Sequence, residues 1–232
     1  MTKIHDRHAR GRVQNGWLDG YHTFSFGSFH DPARMGFRAL RVINEDRVIP
    51  GMGFATHPHR DMEIITYVMS GEVAHRDSLG NGSSIFPGEI QRMSAGTGIR
   101  HSEKNPSHSE GVHLLQIWIE PDAIGHKPSY EQTKIRLDAA KEDFTLIAGP
   151  EGGKGAVTIH QDAKLSLYTP HEGDRKTLPI ATGRYGFLQI IKGQISINGQ
   201  DMHAGDGLEF EGRDAMELVA KTDAEMILFD LA

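Results

Sequence analysis

The sequence predicts an all-β protein made of two β-barrel units. Three observations predict it. Apolar residues come in short segments that alternate or run unbroken, and turn residues separate them. Glycine stands at 27 of 232 positions, where an average share of ~7% would give roughly 16. And one strand-turn-strand pattern occurs twice.

The predicted strands run in order through HTFSF (22–26), FRALRVI (37–43), EIITYVM (63–69), HLLQIWI (113–119), GFLQIIKG (186–193) and EMILFDL (225–231). Turns are marked by DP at 31–32, GNG at 80–82, PGE at 87–89, GPEGG at 149–153 and NG at 198–199. Short strands between glycine-rich turns indicate a sandwich or barrel. Helical periodicity is scarce, and the one predicted helix is SYEQTKIRLDAA (129–140). The repeat sets ITYVMSGEVAHRDSLGNGSSIFPGEI (65–90) beside LQIIKGQISINGQDMHAGDGLEF (188–210). The first copy has HPH upstream and a histidine downstream. The second has only His160 and His171 upstream, at a different spacing. One copy is thus expected to hold chemistry and the other structure, with units spanning 1–135 and 136–232.

Composition limits the function. A net charge of -6 argues against nonspecific nucleic-acid binding, which needs a basic surface. The chain has no cysteine. This removes disulfides, thiolate nucleophiles and cysteine-ligated metals. No secretory leader or membrane span is read from the sequence. A cytoplasmic protein, monomeric or weakly self-associating, is expected.

Residues 51–63 read GMGFATHPHRDME. Alternate residues of a strand share a face, so His57, His59, Asp61 and Glu63 are expected on one side, with Pro58 pointing away. Proline cannot donate to a ladder and suits a strand start or an edge. Farther on, SAGTGIRHSEKNP (94–106) sets His101 and Glu103 two apart. An antiparallel barrel would bring the two stretches together. Three imidazoles and a carboxylate suit one divalent first-row metal. On an octahedral ion they leave two positions open for substrate or O2, whereas structural sites are closed.

These residues resemble a known family. Gly51, His57, His59, Glu63 and Gly71 match the first cupin motif, with one extra residue before the last glycine. Gly98, His101 and Asn105 match the second, with Gly96 where many cupins have proline. Within the cupins the chain is similar to the pirins. The segments that carry the likeness are WLDGYHTFSFGSFHDP (17–32), FATHPHRDMEIITYVMSGEVAHRDSLGN (54–81), MSAGTGIRHSEKNP (93–106), LQIWIEPD (115–122), PSYEQ (128–132) and IHQDA (159–163). They cover the N-terminal half densely and the C-terminal half thinly.

The resemblance implies a bicupin with metal in the N-terminal barrel only. It implies His57, His59, His101 and Glu103 as ligands. Most other cupins use the glutamate at position 63. Glu63 then becomes a carboxylate that orients a ligand histidine, or a base. Fe(II) is the expected ion, and Cu, Ni, Co, Mn and Zn fit the same donors. Bacterial pirins resemble quercetinases. Their chemistry implies that a carboxylate, Glu103 or Glu63, takes the 3-hydroxyl proton of a flavonol. Oxygen then adds across the ring, which opens and loses carbon monoxide.

The flanking Phe24, Phe26, Met52, Phe54 and Met93 are candidates to line an apolar pocket, with barrel core as the alternative. His22 and His113 are candidates for the site or for satisfied strand histidines. Two other functions fit the same fold. One is a redox-sensing metal protein that binds a protein partner, which predicts a large apolar or charged patch near the site. The other is a sugar isomerase, which would want cations near the metal. Arg60, Arg92 and Arg100 are near in sequence, but Arg60 and Arg100 alternate outward.

Overall fold

The computed structural model describes residues 2–212 and 215–232. Strands are numbered along the chain. β1 is Lys3–His5, β2 Gly11–Asn15, β3 Leu18–His22, β4 Leu40–Val48, β5 Gly53–His59 and β6 Glu63–Ser70. β7 is Val73–Asp77, β8 Gly82–Ile85, β9 Glu89–Ser94, β10 Ile99–Lys104, β11 Val112–Ile119 and β12 Ser129–Lys134. A seven-stranded sheet, β12-β9-β6-β11-β4-β3-β2, packs on a four-stranded one, β5-β10-β7-β8.

The C-terminal unit repeats the plan. Helix α1, Leu137–Glu142, leads into β13 Thr145–Gly149, β14 Val157–Thr158, β15 Ala163–Tyr168, β16 Arg175–Thr177 and β17 Tyr185–Lys192. Then come β18 Gln194–Ile197, β19 Gln200–His203, β20 Gly207–Glu211, β21 Glu217–Ala220 and β22 Glu225–Leu231. Its sheets are β1-β20-β17-β22-β15-β13-β14 and β16-β21-β18-β19. The sheets do not close, so each unit is a jelly-roll sandwich, and together they make a two-domain cupin.

Two details differ from the sequence reading. The predicted helix at 129–140 splits. Residues 129–134 are β12, paired with β9 from Ser129 opposite Ser94 to Lys134 opposite Glu89. Only Leu137–Glu142 is helical. The edge of a sheet overrides local helix preference here. The other detail is β1, which leaves its own unit and pairs with β20, Lys3 opposite Glu209.

The repeat appears as geometry. Gly71, after β6, and Gly193, after β17, have φ of 79° and 80°. A Cβ on either would meet backbone oxygen, Gly111 O at 2.6 Å and Asp223 O at 2.3 Å. Glycine alone suits both turns.

The central strands read as unbroken apolar runs because both faces are buried. In β6, Ile65 and Tyr67 face a shared layer that includes Phe24, Ile117, Leu165, Phe187 and Phe229 from both units. Ile64 packs with Met93 and Ile99, and Val68 with Val73 and Leu114, inside the N-terminal sandwich. The C-terminal interior is filled instead by Leu188, Ile190, Leu208, Leu218 and Met226. Phe187 has no exposed surface and touches the rings of His5, Phe24, Phe37 and Phe229. Phe187→Ala should cost about 3–5 kcal/mol. Both units should still melt in one transition, at a lower temperature. Two separate transitions in calorimetry would show that the shared layer does not couple them.

Among the described residues, no helix is long and apolar enough to cross a membrane.

Candidate metal centre

The cluster is assembled by one strand pair. β5 lies at the edge of the four-stranded sheet, the place where Pro58 is tolerated. It pairs with β10 so that His57 stands opposite His101 and His59 opposite Ile99. The rings of His57, His59 and His101 lie 4.5–4.9 Å apart. Their candidate ligand nitrogens all fall within 4.8 Å of one another.

The nitrogens are prepared to take a cation. His57 Nδ1 lies 2.8 Å from Ala55 O. Donation there leaves the Nε2 lone pair free. His57 Nε2 and His101 Nε2 are 3.1 Å apart. His59 Nε2 is buried and has no partner in the protein. Burial, reinforced by the other imidazoles, pushes His59 down to about 4 and His101 to about 3. Both are neutral at physiological pH, the form that binds metal. This donor set fits a divalent ion.

Glu103 follows His101 across a β-bulge on β10. Its Oε1 accepts from Thr66 Oγ1 at 3.1 Å and its Oε2 from Gln116 Nε2 at 2.6 Å. Its carboxylate groups with His101 and with His75, a third donor that sequence reasoning missed. His75 is 1% exposed, stands opposite Glu103 on β7, and lies 3.2 Å through Nε2 from Asp77 Oδ2. The signal was there in VAHRD: His75 and Asp77 alternate with Val73 on one face of a strand.

Thr66 and Gln116 belong to a polar row. His22, Asn44, Gln116, Thr66 and Gln91 are cross-strand neighbours in register across β3, β4, β11, β6 and β9. Asn44, Thr66 and Gln116 stand at mid-length in their strands, and His22 ends β3. Together they give the N-terminal sandwich a polar floor, where the C-terminal one has Leu188, Leu208 and Leu228.

Glu63 is elsewhere. The alternation expected from His57 to Glu63 breaks at Asp61, whose φ is +47°. β5 ends at His59 and Glu63 opens a different strand. Its side chain faces the layer between the units. Ser94 Oγ donates to Glu63 Oε2 at 2.9 Å, and His160 Nδ1 lies 3.2 Å from Glu63 Oε1. His160 comes from the C-terminal half and stacks on His126.

His57 and His59 open onto a cavity of about 640 Å³, lined also by Val13, Trp17, Leu18, His22, Phe26, Asn44, Asp46, Phe54, Glu103, Gln116 and Trp118, among others, with His101 buried behind them. Trp118 sits edge-on to both His59 and Phe26, at 4.9 and 5.3 Å. Of the aromatic and methionine candidates, Phe26 and Phe54 line the cavity. Phe24 and Met93 are core, and Met52 is exposed. Trp17 and Trp118 were missed; each lies in a segment read only as a strand or as part of the family likeness. His22 lines the cavity. His113 does not, and its Nε2 is 2.9 Å from Glu45 Oε1. Arg60 and Arg100 are exposed as expected. Arg92 is buried between the units, where it donates to Thr158 O, Ser129 Oγ and Glu131 Oε2.

Asp46, in the cavity wall, has a raised pKa. Burial, and then the negative charges of Glu103 and Glu45, push it up to about 7. An acid raised in the folded state binds its proton more tightly there. Its contribution to stability therefore declines as pH rises from 3.8 to about 7. His59 and His101, held low, work in the opposite sense as pH rises towards 6.5. Asp46→Asn removes the first effect and leaves the second. In metal-free protein, the stability it gains over the parent should grow between pH 4 and 7. A gain in urea midpoint that stays flat across that range would contradict this.

Comparisons with known proteins identify the family. The model of the Pirin family matches residues 4–119, and that of the quercetinase C-terminal cupin domain matches residues 146–231. The chain belongs to the pirin family. Among pirin relatives, the Escherichia coli K12 protein named quercetin 2,3-dioxygenase is 45% identical over 231 residues, covering 100% of this chain and 99% of that one. A Caulobacter vibrioides protein named pirin-like is 39% identical over 223 residues, covering 96% of each. A crystal structure of the E. coli pirin YhhW in complex with nickel(II) superposes with a TM-score of 0.93 at 44% identity, covering 100% of this chain and 99% of that one.

Proposed function

We propose that this chain is a metal-dependent dioxygenase that opens the ring of a flavonol such as quercetin with O2 and releases carbon monoxide. The observation that supports this best is where the imidazoles sit. They meet at an open cavity walled by aromatic rings, whereas structural metal sites are closed. The names of the relatives point the same way.

His57, His59, His101 and Glu103 would hold one divalent ion. Iron(II) is the ion we favour, and nickel(II), present in the E. coli pirin structure, suits the same donors. Such an ion supplies a Lewis acid next to the substrate oxygen and a place for O2 to meet it. Trp17, Phe26, Phe54 and Trp118 would clamp a planar ring and keep water from it. The 3-hydroxyl proton would go to a carboxylate oxygen of Glu103, which Thr66 and Gln116 hold in one orientation. Glu63 faces the interdomain layer, which supports Glu103 as the base.

Quercetin titrated under nitrogen into metal-loaded protein tests this reading. The long-wavelength absorbance of the flavonol should shift to the red, as the bound anion forms, at about one equivalent per chain. The absence of any shift in loaded protein would overturn it.

One observation favours the second reading, a regulator that docks on a partner. The outer face of the β5–β10–β7 sheet carries exposed Arg76, Arg100, Lys104 and His108 around a surface cavity of about 890 Å³. It backs directly onto the metal strands and would suit an acidic partner.

A further inference from the structure

One wall of the metal cavity contains polar atoms that the protein does not satisfy. Asn44 and Asp46 lie on β4 and His22 on β3. They are 3%, 4% and 4% exposed. Asn44 Oδ1, Asp46 Oδ1 and His22 Nδ1 have no hydrogen-bond partner in the protein, and all three residues line the cavity. Buried polar groups are ordinarily paired, and leaving one unpaired is costly. Three on one wall call for an explanation.

The three atoms differ from their neighbours in facing the cavity. In the same polar row, Gln116 and Thr66 are both used, on Glu103, while Gln91, whose amide is also unpaired, does not line the cavity. The backbone also makes room for the acid. Gly20 stands opposite Asp46 on β3, and a Cβ there would come within 2.5 Å of Asp46 Oδ1. The strand thus leaves the carboxyl a place instead of filling it.

The chemistry of the wall selects its ligand. Two of the three orphan atoms are oxygens, which can accept from a donor. The charges that bear on Asp46 are those of Glu103 and Glu45, which are negative. The cations Arg10 and Arg47 are engaged by Glu45, which faces outward on β4. An anion is therefore disfavoured. Around the polar atoms lie Val13, Trp17, Leu18 and Phe26, and Phe26 sits edge-on to His22 at 5.2 Å. The fit is to an aromatic ring that carries hydroxyl donors.

We propose that Asp46, with Asn44 beside it, forms a subsite that accepts hydrogen bonds from ring hydroxyl groups of a polyhydroxylated aromatic substrate while its reacting end faces the histidines. This rests on the dioxygenase reading for the identity of the reacting end, and it makes Asp46 a specificity residue. A substrate without ring hydroxyls would bury the same oxygens unpaired.

The test compares quercetin with 3-hydroxyflavone, which has the reacting ring and no other hydroxyl group, on metal-loaded protein. The parent should favour quercetin in kcat/KM by about tenfold to a hundredfold, the scale of a lost buried hydrogen bond. In Asp46→Leu that ratio should fall towards one, mainly through KM. A parent without preference, or an Asp46→Leu protein that keeps it, would overturn the proposal. If Asp46→Leu fails to fold, Gly20→Ala, whose methyl displaces the carboxyl, should lower the ratio instead, and an unchanged ratio there would overturn it equally. If neither flavonol is turned over, the dioxygenase reading fails by itself. The chain's two tryptophans, Trp17 and Trp118, both line the cavity and report binding by fluorescence. Tighter binding of quercetin that is lost in Asp46→Leu would then uphold the subsite, and equal binding of both ligands would overturn it.

Discussion

His101→Ala should strip the metal and the activity together and leave the fold intact. His101 is the imidazole common to both donor groupings, with His57 and His59 on one side and His75 and Glu103 on the other. Its Nε2 is 3.1 Å from that of His57. Losing a partner that merely orients a ligand costs 10- to 100-fold in affinity. Losing this ligand should cost more than about a hundredfold. The fold should survive because His101 is on the cavity side of a four-stranded sheet, away from the shared apolar layer that joins the units. Metal analysis after gel filtration, with far-ultraviolet circular dichroism on the same sample, reads both. A folded variant with its full complement of metal would contradict the assignment.

The two glutamates should separate cleanly. Glu103→Gln keeps the shape but removes the anionic oxygen that would face the metal and receive the proton. Turnover should drop about 10²- to 10⁴-fold, the usual contribution of a general base, and metal should be held more weakly. Glu63→Gln should keep its metal. It should instead loosen the contact with Ser94 and His160 between the units and lower the melting temperature. The reverse pattern, with metal lost from Glu63→Gln and kept in Glu103→Gln, would exchange their roles.

Much of this was legible in the sequence, for physical reasons. The strands in β6, β11 and β17 announced themselves because burial on both faces forces unbroken apolar runs. The turn glycines Gly71 and Gly193 marked the repeat because their backbone geometry admits little else. The histidine pair of HPH was legible because proline between two inward residues signals an edge strand. What failed were inferences that carried one periodicity across a break. Alternation was extended through Asp61, where the chain turns, and so placed Glu63 on the wrong face. The helix was extended back through residues that pair with β9. The polar row and the orphan wall were invisible for another reason. Single residues such as Asn44, Thr66 and Gln116 mean little in separate strands until register sets them side by side.

The measurement that bears most directly on the account is turnover of quercetin by metal-loaded protein in air, with carbon monoxide and oxygen uptake recorded together. The account predicts loss of quercetin with one carbon monoxide released for each O2 consumed, none under nitrogen, and none in His101→Ala. Full metal occupancy at the three histidines with no carbon monoxide formed would contradict it.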